Sequence, residues 1–404
     1  MNNKKYYSWI LYDWANSAYA TIVLAGFYPI IFSEYFASLL NDAERTFYLG
    51  LSNSMASLIL IILAPLLGLL ADKNNSRKKL LIITAFLGIF STLFLALVAE
   101  DRWVISSLLF SISMLGFMLS NVFYDSMLTS FEKYSDYNAI SSYGYAIGYL
   151  GGGIAFILAL VFLFFYNAMP LEIIQNKKIV FVFASLWWLI FMIPLILFWK
   201  DSKSNINKNN ITLYDTYIKI KNNKKLLYFL LSYWIYIDGV DTIMRMAVNY
   251  GITIGFTSNH LLIALLLIQF ISFPGTLLMN VIARVYSIQF SITLCLSIYL
   301  IVTILSYSLT TVYEFYFIAI LIGLAQGGIQ ALSRSYYAIL IPKSQSSEYF
   351  GIYNMLGKFA ALLGPLLVGI VTILSDNSRL GMLSISIFFI IGIYLFNKQR
   401  QISI

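Results

Sequence analysis

Apolar runs long enough to cross a lipid bilayer follow one another along the whole chain. About 20 consecutive apolar residues form a helix that spans the hydrocarbon core, and twelve such runs can be counted. Of the 404 residues, 60% are hydrophobic and only 11% are charged, whereas roughly a quarter of the residues of a soluble domain are charged. The sequence therefore predicts an all-α polytopic membrane protein with twelve transmembrane helices.

The predicted spans are single hydrophobic blocks that end in short polar loops. The seventh carries the most polar residues, and the eighth and ninth are separated by the least distinct loop. In chain order the spans are residues 7–39, 48–71, 79–99, 104–130, 140–166, 178–199, 226–250, 261–283, 288–309, 314–338, 347–374 and 380–397.

Basic residues are distributed unevenly between the two sets of loops. With the N-terminus inside, nineteen Lys and Arg fall on the cytosolic side and five on the outer side. Because cytosolic loops carry the excess of positive charge, we expect both termini in the cytosol and the chain in the inner (plasma) membrane. The first span follows Lys4 and Lys5 and is too long for a signal-peptide core, so it is interpreted as uncleaved.

The longest connection divides the chain into two parts. Residues 200–225 are rich in Lys, Asn and Ser and poor in apolar residues, which is typical of a flexible, solvated linker. We interpret residues 1–199 as an N-terminal six-helix half and residues 226–404 as a C-terminal six-helix half.

A polar stripe runs along the first span. Its members recur at helical spacing on one face and are Asp13, Asn16, Ser17, Ala20 and Thr21. A charge at the bilayer centre costs roughly 2.5–3.5 kcal/mol on insertion scales, so Asp13 is a candidate functional residue. The alternative is an acid at the membrane interface, within an aromatic belt. A polar stripe on a membrane helix indicates a cavity among other helices.

The seventh span repeats this pattern with stronger charges. Asp238 falls on Asp13 when the two spans are aligned, and Asp241 and Arg245 follow. Asp238 has no basic residue within one turn, so it is either a proton carrier or a hydrogen-bond acceptor toward a neighbouring span. Asp241 and Arg245 are four residues apart and predict a helix pair; alternatively, Arg245 holds a substrate carboxylate.

Spans four and ten are also polar, so polar residues recur on every third span: one, four, seven and ten. Span four carries Asp125, and span ten carries Gln326, Gln330 and Arg334. This period predicts three-helix repeats in which the first helix lines a central path. Gln326 and Gln330 are candidate solute contacts, whereas we expect Arg334 to extend to the phosphates at the cytosolic surface. Lys358 in span eleven needs a partner that the sequence does not name.

Glycines mark close helix packing. Gly144, Gly148 and Gly152 are spaced by four in span five, and Gly364 precedes Pro365 in span eleven. Rows of small residues let membrane helices approach closely. We expect these glycines to pack the two halves together rather than to contact the solute.

Two halves, a basic linker and polar spans at every third position resemble the major facilitator superfamily. The loop after span two, Gly68–Lys73 followed by Arg77–Lys79, resembles its cytosolic signature, although the second glycine is absent. The resemblance implies gating contacts: Arg77 with Asp125 or Glu132, and Asp72 against the start of span eleven.

Longer strings resemble the bacterial branch related to the fungal autophagy-related vacuole effluxer family. They lie at 12–17, 122–125, 144–152, 238–242, 327–335 and 350–351. The resemblance implies a secondary transporter that exports amino acids or similar small polar solutes by alternating access, with protons as the candidate coupling ion. A transporter or flippase of lipid-like compounds on the same fold is the alternative.

The composition excludes several other classes of protein. His260 and Cys295 are the only histidine and cysteine, so His-based catalysis and a thiolate metal cluster are not expected. No nucleotide-binding loop is visible, and the net charge of +8 is explained by cytosolic loops rather than by nucleic-acid binding. We expect no enzymatic activity, no metal and no cofactor. The expected partners are a small-molecule solute, the bilayer and protons, and we expect a monomer.

Overall fold

The computed structural model describes residues 3–131, 136–167, 177–201 and 212–402. In this part of the chain the elements are helices, and twelve of them are long and apolar enough to cross a membrane. Their bounds lie within four residues of the predicted ones. In chain order the spans are Asn3–Phe36, Glu44–Asn74, Arg77–Leu95, Trp103–Ser130, Tyr137–Phe165, Ile179–Phe198, Lys224–Ala247, His260–Val285, Ile288–Tyr307, Val312–Leu340, Lys343–Ser375 and Ser378–Gln401.

Side chains in the loops fix where several spans begin. Asn41 accepts a hydrogen bond from the backbone of Glu44, whose side chain accepts one in return, and Thr311 and Glu314 form the same capping box before span ten. Ser287 caps span nine and thereby separates it from span eight. These local caps explain why short polar loops predicted the span boundaries.

The same pairs of helices pack in each half. Spans one and five, one and six, two and four, and three and four are in contact, and so are their counterparts six positions later. Between the halves, span two packs on span eleven and span five on span eight. This arrangement is the twofold pseudo-symmetry predicted for two six-helix halves. Because twelve spans, an even number, separate them, the two described ends of the chain, Asn3 and Ile402, lie at one end of the bundle, which we call the terminal end.

Span one departs from regular α-helix in its second half. Wider π-helical turns run over Tyr19–Phe27 and Phe32–Phe36. The hydroxyl of Thr21 donates to the carbonyl of Ser17 and to that of Gly152 in span five. Such turns occur frequently at functional sites, and here the first of them includes Ala20 and Thr21, the last two members of the polar stripe.

Part of the linker is folded, which corrects the prediction of a flexible loop. Residues Leu213–Asn222 form a helix, the linker helix, which begins with a capping box between Thr212 and Asp215. The hydrogen bonds from Thr212 lower the pKa of the Asp215 carboxyl. The ammonium of Lys219 donates to Gln345 Oε1 at 3.2 Å. The linker helix is therefore attached to the beginning of span eleven.

The glycine row of span five packs mainly on span one of its own half. A Cβ atom at Gly144 would lie 2.8 Å from Asp13 Oδ2, and Gly148 and Gly152 face Ser17 in the same way. The prediction that these glycines join the two halves was therefore wrong for Gly148 and Gly152, whereas a Cβ at Gly144 would also lie 3.1 Å from Arg334 NH2 of the other half.

In the C-terminal half, Gly364 faces span seven. A Cβ atom at this glycine would clash with the hydroxyl of Thr242. The close contact thus lies between spans seven and eleven, inside one half, which again differs from the predicted packing between halves.

The close approach between the halves uses other glycines. A Cβ at Gly68 of span two would lie 2.3 Å from the carbonyl oxygen of Ser347, and one at Gly351 would lie 2.5 Å from that of Ala64. Spans two and eleven therefore touch backbone to backbone at the terminal end.

Candidate functional site

A cavity of about 280 Å³ lies between the two halves. Spans one, four, five, seven, eight, ten and eleven all contribute to its wall. The residues that line it are Asp13, Asn16, Ser17, Ala20, Thr21, Phe117, Met118, Asn121, Tyr124, Asp125, Tyr145, Gly148, Tyr149, Tyr233, Ile237, Asp241, Gln269, Gln330, Arg334, Tyr353, Asn354, Gly357 and Lys358.

The polar stripe of span one faces this cavity along its whole length. All five of its members belong to the wall. The amide of Asn16 donates to Asn121 Oδ1 of span four at 2.6 Å. On the opposite side, the Tyr149 hydroxyl donates to Gln330 Oε1 at 2.6 Å and so joins spans five and ten. The wall is therefore built largely from amides, hydroxyls and charges.

Arg334 connects the two halves at the terminal end of the cavity. Its NH1 donates to Asp125 Oδ1 of span four at 3.0 Å, and its NH2 lies 3.6 Å from Asp13 Oδ2 of span one. Ser141 of span five accepts from Nε at its hydroxyl and from NH2 at its carbonyl. Since Arg334 is only 1% exposed, the prediction that it extends to the membrane surface was wrong.

Aromatic rings enclose this guanidinium. Its Cζ lies 4.9 Å from the ring centroid of Trp9, 5.3 Å from that of Tyr124 and 4.2 Å from that of Tyr145. Cation–π contacts gain strength when they are desolvated. Together with two carboxylates, the rings provide the compensation that a buried charge requires.

Asp13 is part of this cluster rather than an interfacial acid. Its carboxylate is buried and accepts a hydrogen bond from the Tyr124 hydroxyl at 2.8 Å. Asp125 also contacts a third element, because Asn354 of span eleven donates to its Oδ2 at 3.2 Å. The two acids and Arg334 thus tie spans one and four to spans ten and eleven.

A second set of contacts lies between this cluster and the terminal end of the bundle, and closes that end. Asp72, at the end of span two, accepts hydrogen bonds from the backbone N–H groups of Ser347 and Glu348 at 3.3 and 2.9 Å. Carboxylates are stabilised at a helix N-terminus by its unpaired N–H groups. Asp72 therefore faces the first turn of span eleven, and the two halves are joined there as well.

Arg77 pairs with Asp72 at 2.9 Å and donates to the carbonyl of Lys343 at 3.1 Å. The predicted pairing of Arg77 with Asp125 was wrong, since Asp125 binds Arg334 instead. The alternative partner, Glu132, lies outside the described residues.

Hydroxyl groups add further bonds across this closed end. Thr129 donates to Ser346 at 2.9 Å, and Ser347 donates to Ser126 at 3.2 Å. Hydrogen bonds between the halves concentrate at the terminal end and reach up to Tyr149 and Gln330. The cavity is therefore separated from the terminal end by several layers of side chains.

Two residues predicted along the pathway are instead used in packing. Asp238 is 1% exposed, and its Oδ1 accepts from the backbone N–H of Gly364 at 3.0 Å and from the Thr242 hydroxyl at 3.3 Å. Gln326 is buried and accepts from the Tyr299 hydroxyl of span nine. Neither side chain belongs to the cavity wall, because each points toward a neighbouring helix of its own half.

Asp241 and Lys358 line the cavity, whereas Arg245 does not. Within the described chain, Asp241 and Arg245 form no ion pair, so the predicted helix pair is absent. Asp241 of span seven and Lys358 of span eleven are instead the two charged residues of the described wall that lie outside the Arg334 cluster. Lys358 thus has an acidic neighbour across the cavity wall without a direct bond to it.

Spans five and eleven contribute residues that the sequence did not single out. Tyr145 and Tyr149 of span five, and Tyr353 and Asn354 of span eleven, all face the cavity. Tyr145 and Tyr149 alternate with the glycines of the small-residue row, four residues apart. That spacing could have indicated from the sequence that the two tyrosines face the same side of span five, because residues four apart lie on one helix face.

The arrangement is suited to binding a solute rather than to catalysis. In the part of the chain that the structure describes, no group of three His, Cys, Asp or Glu is placed to hold a metal ion. What the wall offers is fixed charges, amides and hydroxyls around a central space.

Two six-helix halves around a central polar cavity define a transporter of the major facilitator superfamily. The chain is similar to the outward-conformation structure of the superfamily transporter FucP, with a TM-score of 0.76 and 12% identity. The similarity covers 100% of this chain and 99% of that one. At this identity the likeness concerns the fold.

The family model described as vacuole effluxer Atg22 like matches residues 39–399, and the chain belongs to this family. It is 35% identical to the uncharacterized MFS-type transporter YxiO of Bacillus subtilis (strain 168), over 96% of this chain and 93% of that protein. It is 23% identical to autophagy-related protein 22 of Vanderwaltozyma polyspora, over 80% and 71% of the two chains. The protein is therefore a multi-pass membrane transporter and not an enzyme.

Proposed function

We propose that this transporter exports amino acids or similar small polar solutes by alternating access. The observation that carries the proposal is the polar cavity between the halves, closed at its terminal end by the bond from Arg334 to Asp125. Many transporters of this architecture bind solute at the midplane, where the repeats meet. The alternative is a transporter or flippase of lipid-like compounds. Charged and amide side chains in the wall favour a polar solute over a lipid.

We place the protein in the inner membrane of the cell. In the proposed orientation the terminal end faces the cytosol. The excess of Lys and Arg in the loops at that end supports it. In this orientation the structure represents the state closed to the cytosol. Solute would enter from the cytosol once the Arg334 cluster and the Asp72 contacts separate.

Protons are the proposed coupling ion. Asp13 and Asp125 are buried carboxyls that share the guanidinium of Arg334 between the halves. Asp238 is a buried carboxyl between spans seven and eleven of the C-terminal half. Asp238 Oδ2 has no hydrogen-bond partner among the described residues. A carboxyl in such a position can take up and release a proton as its surroundings change.

Transport by the purified protein in proteoliposomes tests the proposal. The liposomes are loaded with pooled radiolabelled amino acids, and efflux is measured with and without a proton gradient. The proposal predicts efflux above that of protein-free liposomes, accelerated by the gradient. Efflux that equals the protein-free rate for every amino acid, together with movement of labelled lipid between leaflets, would support the alternative.

A further inference from the structure

We propose that Lys358 and Asp241 are the two ends of a zwitterion site, in which Lys358 binds a carboxylate and Asp241 binds an ammonium group. The inference rests on the proposed function and deepens it, because it names the chemical feature by which a solute is selected. The ligand class is a free α-amino acid with both charges intact.

The first observation is that the two charges share one part of the wall and lack direct partners. Asp241 lies on span seven and Lys358 on span eleven, which pack against each other. Among the described residues neither side chain forms an ion pair or a hydrogen bond. An unpaired charge in a low-dielectric wall is costly, so both groups are ready to bind opposite charges on a solute.

The second observation is that the other charged cluster of the cavity is already occupied. Arg334 donates to Asp125 and to Ser141 and lies beside Asp13. A solute carboxylate could bind Arg334 only after displacing an existing partner, which would also open the contact between the halves. This leaves Lys358 as the cavity cation with free donors.

The third observation concerns the balance of charge. Outside the Arg334 cluster, Asp241 is the one carboxylate and Lys358 the one cation among the described residues of the cavity wall. A solute with only a carboxylate would leave Asp241 unpaired, and a solute with only an ammonium would leave Lys358 unpaired. A zwitterion satisfies both groups at once, which provides the selectivity.

Three probe pools with the same side chains separate these cases. They are free amino acids, their methyl esters, which lack the carboxylate charge, and their N-acetyl derivatives, which lack the ammonium charge. Each pool competes for exchange of labelled amino acids in proteoliposomes. For the wild type, free amino acids should compete roughly 10- to 100-fold better than either derivative, as expected for a charged hydrogen bond.

The variants Lys358→Gln and Asp241→Asn assign each end of the site. In Lys358→Gln the advantage of free amino acids over methyl esters should disappear, and in Asp241→Asn the advantage over N-acetyl derivatives should disappear. Lys398→Gln and Asp376→Asn are matched controls, since both residues are exposed away from the cavity. They should keep the wild-type discrimination. Size-exclusion elution confirms that each variant is folded.

The results distinguish this inference from the proposed function. If the wild type exchanges free amino acids and both cavity variants keep its discrimination, the zwitterion site is wrong and the transport function stands. If the wild type exchanges no free amino acid, both are overturned. A collapse of discrimination in the matching variant, with the controls unchanged, supports the site.

Discussion

The guanidinium of Arg334 in span ten and the carboxylate of Asp125 in span four form an ion pair of 3.0 Å between the two halves of the transporter. Both side chains are buried. The pair lies between the cavity and the terminal end, so the halves cannot separate there without breaking it. Asp72 and the first turn of span eleven form a second barrier nearer the end of the bundle.

Removing the charge of Arg334 should open the terminal end. Arg334→Gln leaves Asp13 and Asp125 without their cation, and breaking a buried pair on one side costs roughly 3–5 kcal/mol. With Cys295→Ala and Ala20→Cys in the background, an impermeant maleimide added from the side of the terminal end should label the cavity thiol at least about tenfold faster. Arg284→Gln, at an exposed position, is the control. Equal labelling of both variants would show that the pair does not hold the gate.

Adding a methyl group where spans two and eleven touch should also open the terminal end. Gly68→Ala and Gly351→Ala place a Cβ within 2.3 and 2.5 Å of a facing carbonyl oxygen, which a packed backbone cannot accommodate. Labelling from the side of the terminal end should therefore increase in both variants.

Gly50→Ala and Gly369→Ala, in the same two spans, are matched controls. A Cβ at either position meets no atom within 4 Å, and alanine favours a helix by roughly 1 kcal/mol over glycine. These variants should label like the parent protein. If all four alanine variants behave alike, the close approach of spans two and eleven is not required for closure.

The predictable part of the molecule is the part set by local sequence. Apolar length and polar caps are local, so the span bounds were obtained within four residues. Helical spacing is local too, which is why the stripe of span one was predicted to face a cavity. The pair of Arg334 and Asp125 could not be obtained in this way, because it joins residues 209 positions apart and depends on how the halves meet.

Two sequence-based predictions, the partner of Arg77 and the position of Asp238 in the pathway, were wrong for structural reasons. Arg77 meets Asp72 because Asn75, with φ of 49°, turns the short loop back on itself. Asp238 aligns with Asp13 by sequence, yet Asp241, about one helical turn further on, is the acid that faces the cavity. Aligned sequence strings therefore gave the related helix correctly but not the face that it presents.

The linker helix should loosen at acidic pH. Hydrogen bonds from Thr212 hold the pKa of Asp215 below its ordinary value, so the cap is fully stabilising above the pKa of an unfolded carboxyl, about 3.9. The contribution of the cap is lost as the pH falls through the lower pKa that Asp215 has in the folded helix. A nitroxide attached through Tyr217→Cys, an exposed site on this helix, should gain mobility in that range. With Asp215→Asn the mobility should be higher at neutral pH and independent of pH; a pH response that persists would assign the effect to another group.

Asp238→Asn should separate proton coupling from solute exchange. The Asn side chain keeps an Oδ1 that can accept from the Gly364 N–H and the Thr242 hydroxyl, so packing of span seven on span eleven is preserved. The ionisable group is lost, and gradient-driven efflux should fall to the rate without a gradient while amino-acid exchange continues. Thr242→Val, which removes one hydrogen bond and keeps the acid, should retain the gradient response. If Asp238→Asn is still driven by the gradient, Asp238 serves only to join the two helices, and the proton-binding acid must be sought in the Asp13 and Asp125 cluster.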